Sequence, residues 1–357
     1  MRSSKPYLFF LLLIIATGSC KKNGNVYVPP VYVTPTDTTF VNPLLSSGPD
    51  PWVIKKDSFY YYTHTSGDKI RVWRTKSMSQ LKNAGDQTIW SKPATGANSQ
   101  NVWAPELHFL DGKWYAYYTA GATTDQATQR TFVLENSSSD PWLGTWTDKG
   151  KIADPPADFF AIDATILEQG SNRYMIWSGH ASSTDNIQRI YIARLSNPWT
   201  LATGRVLISS PTFSWESVGA PPAVNEGPEI LKGPTGKVFL IFSASGCWTD
   251  DYALGMMTLR DGGDPMVPAD WTKTATPVFT KAPLNGAYGP GHNAFFKSPD
   301  GTEDWILYHA NPGAGMMCAD TRSPRIQKFT WNGDGTPNFG QPVPINTKLK
   351  RPAGEKD

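Results

Sequence analysis

Hydrophobic and polar positions alternate over short distances along most of this chain, and the pattern recurs. Five segments share one plan: a short motif with a polar or charged residue, a turn, then an aromatic run. They are DPWVIKKDSFYYYT from Asp50, PELHFLDGKWYAYYT from Pro105, DATILEQGSNRYMIWS from Asp163, EGPEILKGPTGKVFLIFS from Glu226 and HNAFFKSPDGTEDWILYH from His292. Each predicts a strand, a turn (Lys56-Asp57, Asp111-Gly112, Gly170-Ser171, Gly233-Pro234, Asp300-Gly301) and a second strand. The anchors Asp50, Glu106, Asp163, Glu226 and His292 are spaced by 56, 57, 63 and 66 residues. Third strands are predicted at Arg71–Ser77, Arg130–Ser137, Arg189–Ser196, Tyr252–Leu259 and Arg325–Trp331. A short fourth element carries Trp90, Trp146, Trp199 or Trp271 in four of the units. No segment sustains a long 3.6-residue period, so helices should be few. Four strands repeated five times predict an all-β, five-bladed β-propeller with four-stranded blades. The alternative, a β-sandwich or a pair of β domains, does not account for five ordered recurrences.

Composition agrees with a turn-rich, aromatic β fold: 12% of residues are aromatic, 14 are Trp, and Gly (31) and Pro (30) are plentiful. The N-terminus reads differently. Arg2 and Lys5 precede an apolar stretch, Leu8 to Ala16, that is too short to span a bilayer and ends at Thr17-Gly18-Ser19-Cys20. This resembles a bacterial lipoprotein signal (residues 1–20) in which Cys20 is lipidated, against the alternative of an ordinary secretory signal. Stable anchoring would take several acyl chains. The expectation is export to the cell envelope, at the outer membrane or cell surface, with the lipid as the sole membrane contact. Residues 21–45, rich in Pro, Val and Thr, predict an extended tether; 46–347 form the propeller and 348–357 a tail. Without its first twenty residues the chain has equal numbers of acidic and basic residues. That balance argues against nucleic acid as a partner and favours a neutral substrate. Cys247 and Cys318 remain, and an exported protein permits a disulfide, but spacing leaves open whether they meet.

The first strand of each propeller blade lines the central channel. Asp50, Glu106, Asp163, Glu226 and His292 hold similar places in those strands, so they should converge on one ring. Asp50, Asp163 and Glu226 then offer the chemistry of glycosidic hydrolysis, in which one carboxyl donates a proton to the leaving oxygen and another activates water or attacks carbon. Crowded carboxylates cannot all ionise, which is how one stays protonated near neutral pH. Blander explanations exist for each. Asp50, in Gly48-Pro49-Asp50-Pro51, is also a typical turn residue. Asp163 sits in the apolar run from Phe159 to Leu167 and could be a satisfied structural Asp, although a buried charge needs a reason. Glu226 precedes Gly227, which permits close approach of a backbone or ligand. Its rival Glu229, three residues on, should face the opposite side of the strand. Trp103, Phe160 and Trp248 are candidates to wall a sugar, or core aromatics. No phosphate-binding loop, nucleophile elbow or Cys/His cluster competes.

The motifs Gly48-Pro49-Asp50-Pro51, Trp103-Ala104-Pro105-Glu106, Ala161-Ile162-Asp163-Ala164 and Asn225-Glu226-Gly227-Pro228-Glu229, in that order, resemble glycoside hydrolase family 43 over about residues 45 to 345. The resemblance implies an inverting five-bladed propeller that needs no cofactor. It implies Asp50 as general base, Glu226 as general acid and Asp163 as the group that tunes the acid. Acid and base should then stand about 6.5–9.5 Å apart. Arg322 resembles the family arginine that bonds sugar hydroxyls, with Arg325 as its rival. His292 resembles a histidine that points at the axis beside a central water or calcium ion, although a lone His is not a metal site. The segment Ser243–Tyr252, with Trp103–His108, is more similar to α-L-arabinofuranosidase members than to β-xylosidases, and a galactosidase is a third activity in view. A sugar-binding propeller without catalysis is the alternative from another class, and retention of both Asp50 and Glu226 speaks against it.

Overall fold

The computed structural model describes residues 38–154 and 157–356, so the predicted signal with Cys20 and most of the predicted tether lie outside the described residues. Five four-stranded antiparallel blades follow one another along the chain. Their first two strands are Trp52–Lys56 and Phe59–Thr63, Gln100–Leu110 and Lys113–Gly121, Ala161–Gln169 and Asn172–Gly179, Asn225–Lys232 and Val238–Ala244, and Tyr288–Lys297 and Asp304–Asn311. Third strands are Lys69–Thr75, Arg130–Asn136, Arg189–Asn197, Ala253–Leu259 and Ser323–Trp331, within a few residues of the predicted ones. Of the four tryptophans placed in the outer strands, Trp90 and Trp271 are in them, whereas Trp146 and Trp199 fall in the turns just before. Blade 3 carries an extra strand, Val206–Ser209, beside its third. Among the described residues the only helices are short 3-10 turns, and none is long and apolar enough to cross a membrane.

The first strands of successive blades contact one another in a closed cycle, with that of blade 5 against that of blade 1. That closure makes a channel. Second strands are flanked by neighbouring blades on both faces, which explains their nearly unbroken apolar runs, such as Val238–Ala244, buried throughout. The apolar core is correspondingly divided into seams between blades. One joins Tyr60, Tyr62 and Trp73 to Trp114 and Phe132, and to Phe296 and Trp305 of blade 5. Others join blades 2 and 3, 3 and 4, and 4 and 5. At roughly 1.5–3 kcal/mol for each fully buried large apolar side chain, these seams hold the ring closed. The hairpin at Asp111-Gly112 turns through two left-handed residues (φ 51° and 78°), matching the twist of the strands it joins.

Both chain ends differ from expectation. The tether predicted to run to residue 45 joins the folded body from residue 38 on. Thr39–Phe40 pairs with Leu349–Lys350, Phe40 and Leu44 are buried, and the Asn42 side chain both donates to Ile326 O (2.8 Å) and accepts from Ile326 N–H (3.0 Å). The predicted tail, 348–357, is likewise docked: Glu355 accepts from Ser77 Oγ at 2.6 Å and also from Ser79. Two apolar residues and a backbone-mimicking Asn suffice to seat a stretch whose Pro and Thr content suggested free chain. Cys247 and Cys318, left open by the sequence, are disulfide-bonded.

Candidate active site

Four of the five first strands carry an extra residue where they reach the mouth of the channel. Trp103 to Glu106, Ile162 to Thr165, Glu226 to Glu229 and Gly291 to Ala294 each span three steps against two on the neighbouring strand. The backbone turns left-handed within each bulge, at Ala104 (φ 42°), Asp163 (56°), Gly227 (52°) and His292 (45°), and Asp50 (54°) does the same ahead of blade 1. Such conformations cost on the order of 1–2 kcal/mol for a non-glycine residue and need outside support. That support is a relay between blades. The N–H of Ala104 donates to Thr65 Oγ1 (2.7 Å), that of Asp163 to Thr119 Oγ1 (3.2 Å), that of His292 to Ser243 Oγ (2.8 Å) and that of Asp50 to His309 Nδ1 (3.0 Å). Gly227 is the exception, because its N–H donates to the carboxylate Oδ2 of Asp163 at 3.0 Å. Asp163 thereby fixes the backbone beside Glu226. A Cβ on Gly227 would come within 3.2 Å of the His292 ring, so the close approach that glycine permits is to this imidazole.

The bulges correct two expectations. The equivalents of Asp50 and Asp163 are Ala104, Gly227 and His292, so Glu106 lies deeper than the mouth. The extra residue also puts Glu229 on the same side of its strand as Glu226, because their partners Ile241 and Ser243 are two apart. Glu106 and Glu229 form a separate buried pair down the channel. Thr165 Oγ1 donates to Glu229 at 3.5 Å, and Glu106 meets His108 Nε2 at 2.9 Å. Burial and then Glu229 push Glu106 well above the carboxylate range, and burial raises Glu229. Burial pushes His108 down to about 3, so its ring is neutral and supplies no counter-charge.

At the mouth the three carboxyl groups have different surroundings. Asp50 Oδ1 accepts from Arg322 Nη1 at 3.0 Å and Oδ2 accepts from Thr65 Oγ1 at 2.7 Å, with His292 Nδ1 at 3.4 Å. Burial alone would raise this carboxyl, but the Arg322 guanidinium, helped by the Thr65 hydroxyl, holds it well below the usual range; the His292 and His309 rings are themselves pushed down by burial and stand beside it neutral. Glu226 Oε1 accepts from the Tyr252 hydroxyl at 2.8 Å. Burial, opposed by Tyr252 and reinforced by repulsion from Asp50, pushes Glu226 up to about 7. Asp163 is raised by burial, then by Glu226 and Asp50. Asp163 and Glu226 therefore cannot both ionise, and between them they retain a proton near neutral pH while Asp50 has none.

Asp50, Asp163 and Glu226 open onto one cavity of about 700 Å³, together with Trp103, Phe160, Trp248, His292 and Arg322. Apart from Cys20, which lies outside the described residues, every site residue expected from the sequence lines it. Phe160 is buried and stacked on His180 at 4.3 Å between ring centroids. Arg325, the rival of Arg322, is fully buried and spends its guanidinium on the carbonyls of Gly286 and Ala310, which removes it from the site. Below the mouth a cavity of about 10 Å³, room for one water, is bounded by Asp50, Glu106, His292 and Asn293. Calcium takes 6–8 oxygen ligands. Among the described residues no three His, Cys, Asp or Glu side chains are arranged to hold a metal ion, and Asp50 already faces a guanidinium, so the residues around His292 do not form a calcium cage.

Thr65, Tyr252 and His309 are site residues that the sequence reading passed over. A signal existed: Thr65, Thr119, Ser178, Ser243 and His309 all stand within two residues of the end of a second strand, a recurring polar residue after an aromatic run.

Comparison with known proteins agrees with this architecture. The chain is 42% identical over 313 residues to an extracellular exo-α-(1→5)-L-arabinofuranosidase of Streptomyces avermitilis, covering 85% of this chain and 64% of that protein. It is 37% identical to a protein of the same description from Streptomyces chartreusis, covering 83% of this chain and 90% of that one. The chain thus spans less than two thirds of the first relative and most of the second. The crystal structure of an α-L-arabinofuranosidase from Lactobacillus brevis superposes with a TM-score of 0.81 at 37% identity, covering 86% of this chain and 98% of that one. Residues 40–337 match the family Glycosyl hydrolases family 43, and the chain belongs to that family.

Proposed function

We propose that the protein is an inverting α-L-arabinofuranosidase that releases arabinofuranosyl units from a neutral polysaccharide or oligosaccharide. The observation that carries this reading is the opposed protonation of Asp50 and Glu226 at one cavity. Asp50, ionised and clamped by Arg322, is the general base. It takes a proton from a water that attacks the anomeric carbon as the bond to the leaving oxygen breaks. Glu226, protonated near neutral pH, gives its proton to that oxygen. Asp163 accepts from the Gly227 N–H, which orients the acid, and shares a proton with Glu226 in one crowded, buried site. Trp103, Phe160 and Trp248 wall the sugar, and His292 and Arg322 complete the floor. Proton transfer from water to Asp50 and from Glu226 to the leaving oxygen accounts for the reaction without a cofactor; a calcium ion near His292 would have to be held largely through water.

The names of the relatives favour the arabinofuranoside over the β-xyloside. The test is hydrolysis of the paired aryl α-L-arabinofuranoside and β-D-xyloside, with Asp50→Asn as the blank. Turnover of the arabinofuranoside alone, absent in the blank, is expected. Turnover of the xyloside alone would overturn the sugar assignment, and turnover of neither would favour a binding propeller. We also propose that Cys20 is lipidated and anchors the enzyme at the cell envelope. Cys20→Ser should then move it from the membrane fraction to the soluble fraction.

A further inference from the structure

One covalent bond reaches the mouth. Cys247 and Cys318 are joined across 71 positions with their Cα atoms 5.2 Å apart, and both line the large cavity. Cys247 lies in the loop between the second and third strands of blade 4, and Cys318 in the matching loop of blade 5. The bond staples two neighbouring blades at their catalytic end, far from the apolar seam that already holds those blades together lower down.

Each cysteine has a mouth residue close by in sequence. Trp248 follows Cys247. Its indole lies over Gly246, where a Cβ would come within 2.2 Å of the ring, and its Nε1 donates to Gly219 O at 3.2 Å. Arg322 stands four residues after Cys318. Its N–H and Nε both donate to Ala319 O at 3.2 Å, and Nη1 donates to Asp50 Oδ1 at 3.0 Å. The strand that follows is buried, but residues 314–321 of the loop are exposed or half-exposed and place no apolar side chain in the core. Besides the disulfide, that loop is tied down by a few polar contacts. Gly315 N–H donates to Asp250 Oδ1 (2.8 Å), Asn311 Nδ2 to Met317 O (2.8 Å) and Thr321 Oγ1 to Asn311 Oδ1 (2.9 Å). Single hydrogen bonds of this kind each contribute little.

We propose that the Cys247–Cys318 disulfide is a positioning element of the active site: it seats the loop that places Arg322 on Asp50 and fixes the Trp248 wall opposite. This rests on the reading of Asp50 as general base. Neither sulfur touches the reacting atoms. The disulfide acts through Arg322, which sets the charge state of the base, and through Trp248, which sets how tightly sugar is held.

The test compares the full chain with its Cys247→Ser/Cys318→Ser double variant, which leaves no unpaired thiol at the mouth. On the aryl α-L-arabinofuranoside, kcat/KM should fall between about ten- and a hundredfold, as expected for a small displacement of a positioned group. The acid limb of its pH profile should move upward as Asp50 loses Arg322. Arg322→Gln should shift the same limb alone and add little on top of the double variant, because the two act on one contact. Hydrogen exchange at the amides of Arg322 and of Gly48, which donates to Arg322 O, should quicken in the double variant. An unchanged pH profile and unchanged exchange, with a lower Tm only, would make the disulfide a mere staple and overturn the proposal. If the wild type turned over no arabinoside, the sugar assignment would fall, and the exchange measurement would still decide whether the disulfide seats Arg322.

Discussion

The channel holds two sets of buried carboxyl groups one above the other, and they differ instructively. At the mouth, Asp50, Asp163 and Glu226 share a cavity with Arg322 and Tyr252. Deeper, Glu106 and Glu229 have a neutral histidine, a threonine and apolar walls. Burial raises the proton affinity of every one of them. Only at the mouth does a cation reverse that for one member, so only there do a carboxyl held ionised and a carboxyl of raised proton affinity stand side by side. Below, both members are pushed the same way, and no cation holds either one ionised. Burial makes carboxyl groups unusual; asymmetric partners make them complementary.

Removing the asymmetry should have the largest effect. Asp50→Asn and Glu226→Gln should each cost about 10²–10⁴-fold in kcat on arabino-oligosaccharides, the usual scale of a lost proton-transfer group. The two should part company on aryl arabinofuranosides, whose leaving group needs little protonation. There Glu226→Gln should retain most activity and Asp50→Asn should not. Equal loss on both substrates would remove Glu226 from the acid role.

Arg322→Gln comes next, and its sign follows from the depressed proton affinity of Asp50. A carboxylate held below its usual range stays ionised as pH falls. Without the guanidinium it protonates at higher pH, so kcat/KM should be lost on the acid side where the wild type still works. At the other end of the profile, activity of the wild type should decline as pH rises through about 7, where Glu226 gives up its proton. Tyr252→Phe removes a hydrogen bond that favours the ionised form. It should move that limb upward by less than about one pH unit, the equivalent of one neutral hydrogen bond.

The smallest effect is expected in the lower set. Glu106→Gln and Glu229→Gln replace buried carboxyls of raised proton affinity with neutral isosteres. Each should change kcat little and shift Tm by no more than about 2–4 °C, the equivalent of about 1 kcal/mol. A loss comparable to that of Asp50→Asn would erase the distinction between the two sets and make the lower pair part of the reaction.

Much of this was legible in the chain. The recurring strand–turn–aromatic unit predicted five blades, because a strand buried on both faces must be apolar throughout and a hairpin needs its turn residues at fixed places. The order of the Asp50, Asp163 and Glu226 motifs pointed to the three carboxyl groups that meet at the cavity. Glu106 and Glu229 were misplaced because strict alternation along a strand ignores the bulge, a backbone feature that Ala104-Pro105 and Gly227-Pro228 do not advertise as strongly as a turn. Thr65 and His309 went unnoticed because each supports a residue in the next blade: the recurring polar residue shows in the sequence, but the partner it reaches does not.

The sequence by itself determined the repeat, the strands and the identity of the groups able to exchange protons, since these follow from periodicity and side-chain chemistry. Tertiary structure alone decided that Arg322 rather than Arg325 meets Asp50, that Cys247 finds Cys318 and that Glu229 turns inward below Glu226. Charge states and pairings depend on distances of a few ångströms between residues up to 272 positions apart, and those distances exist only once the ring of blades has closed.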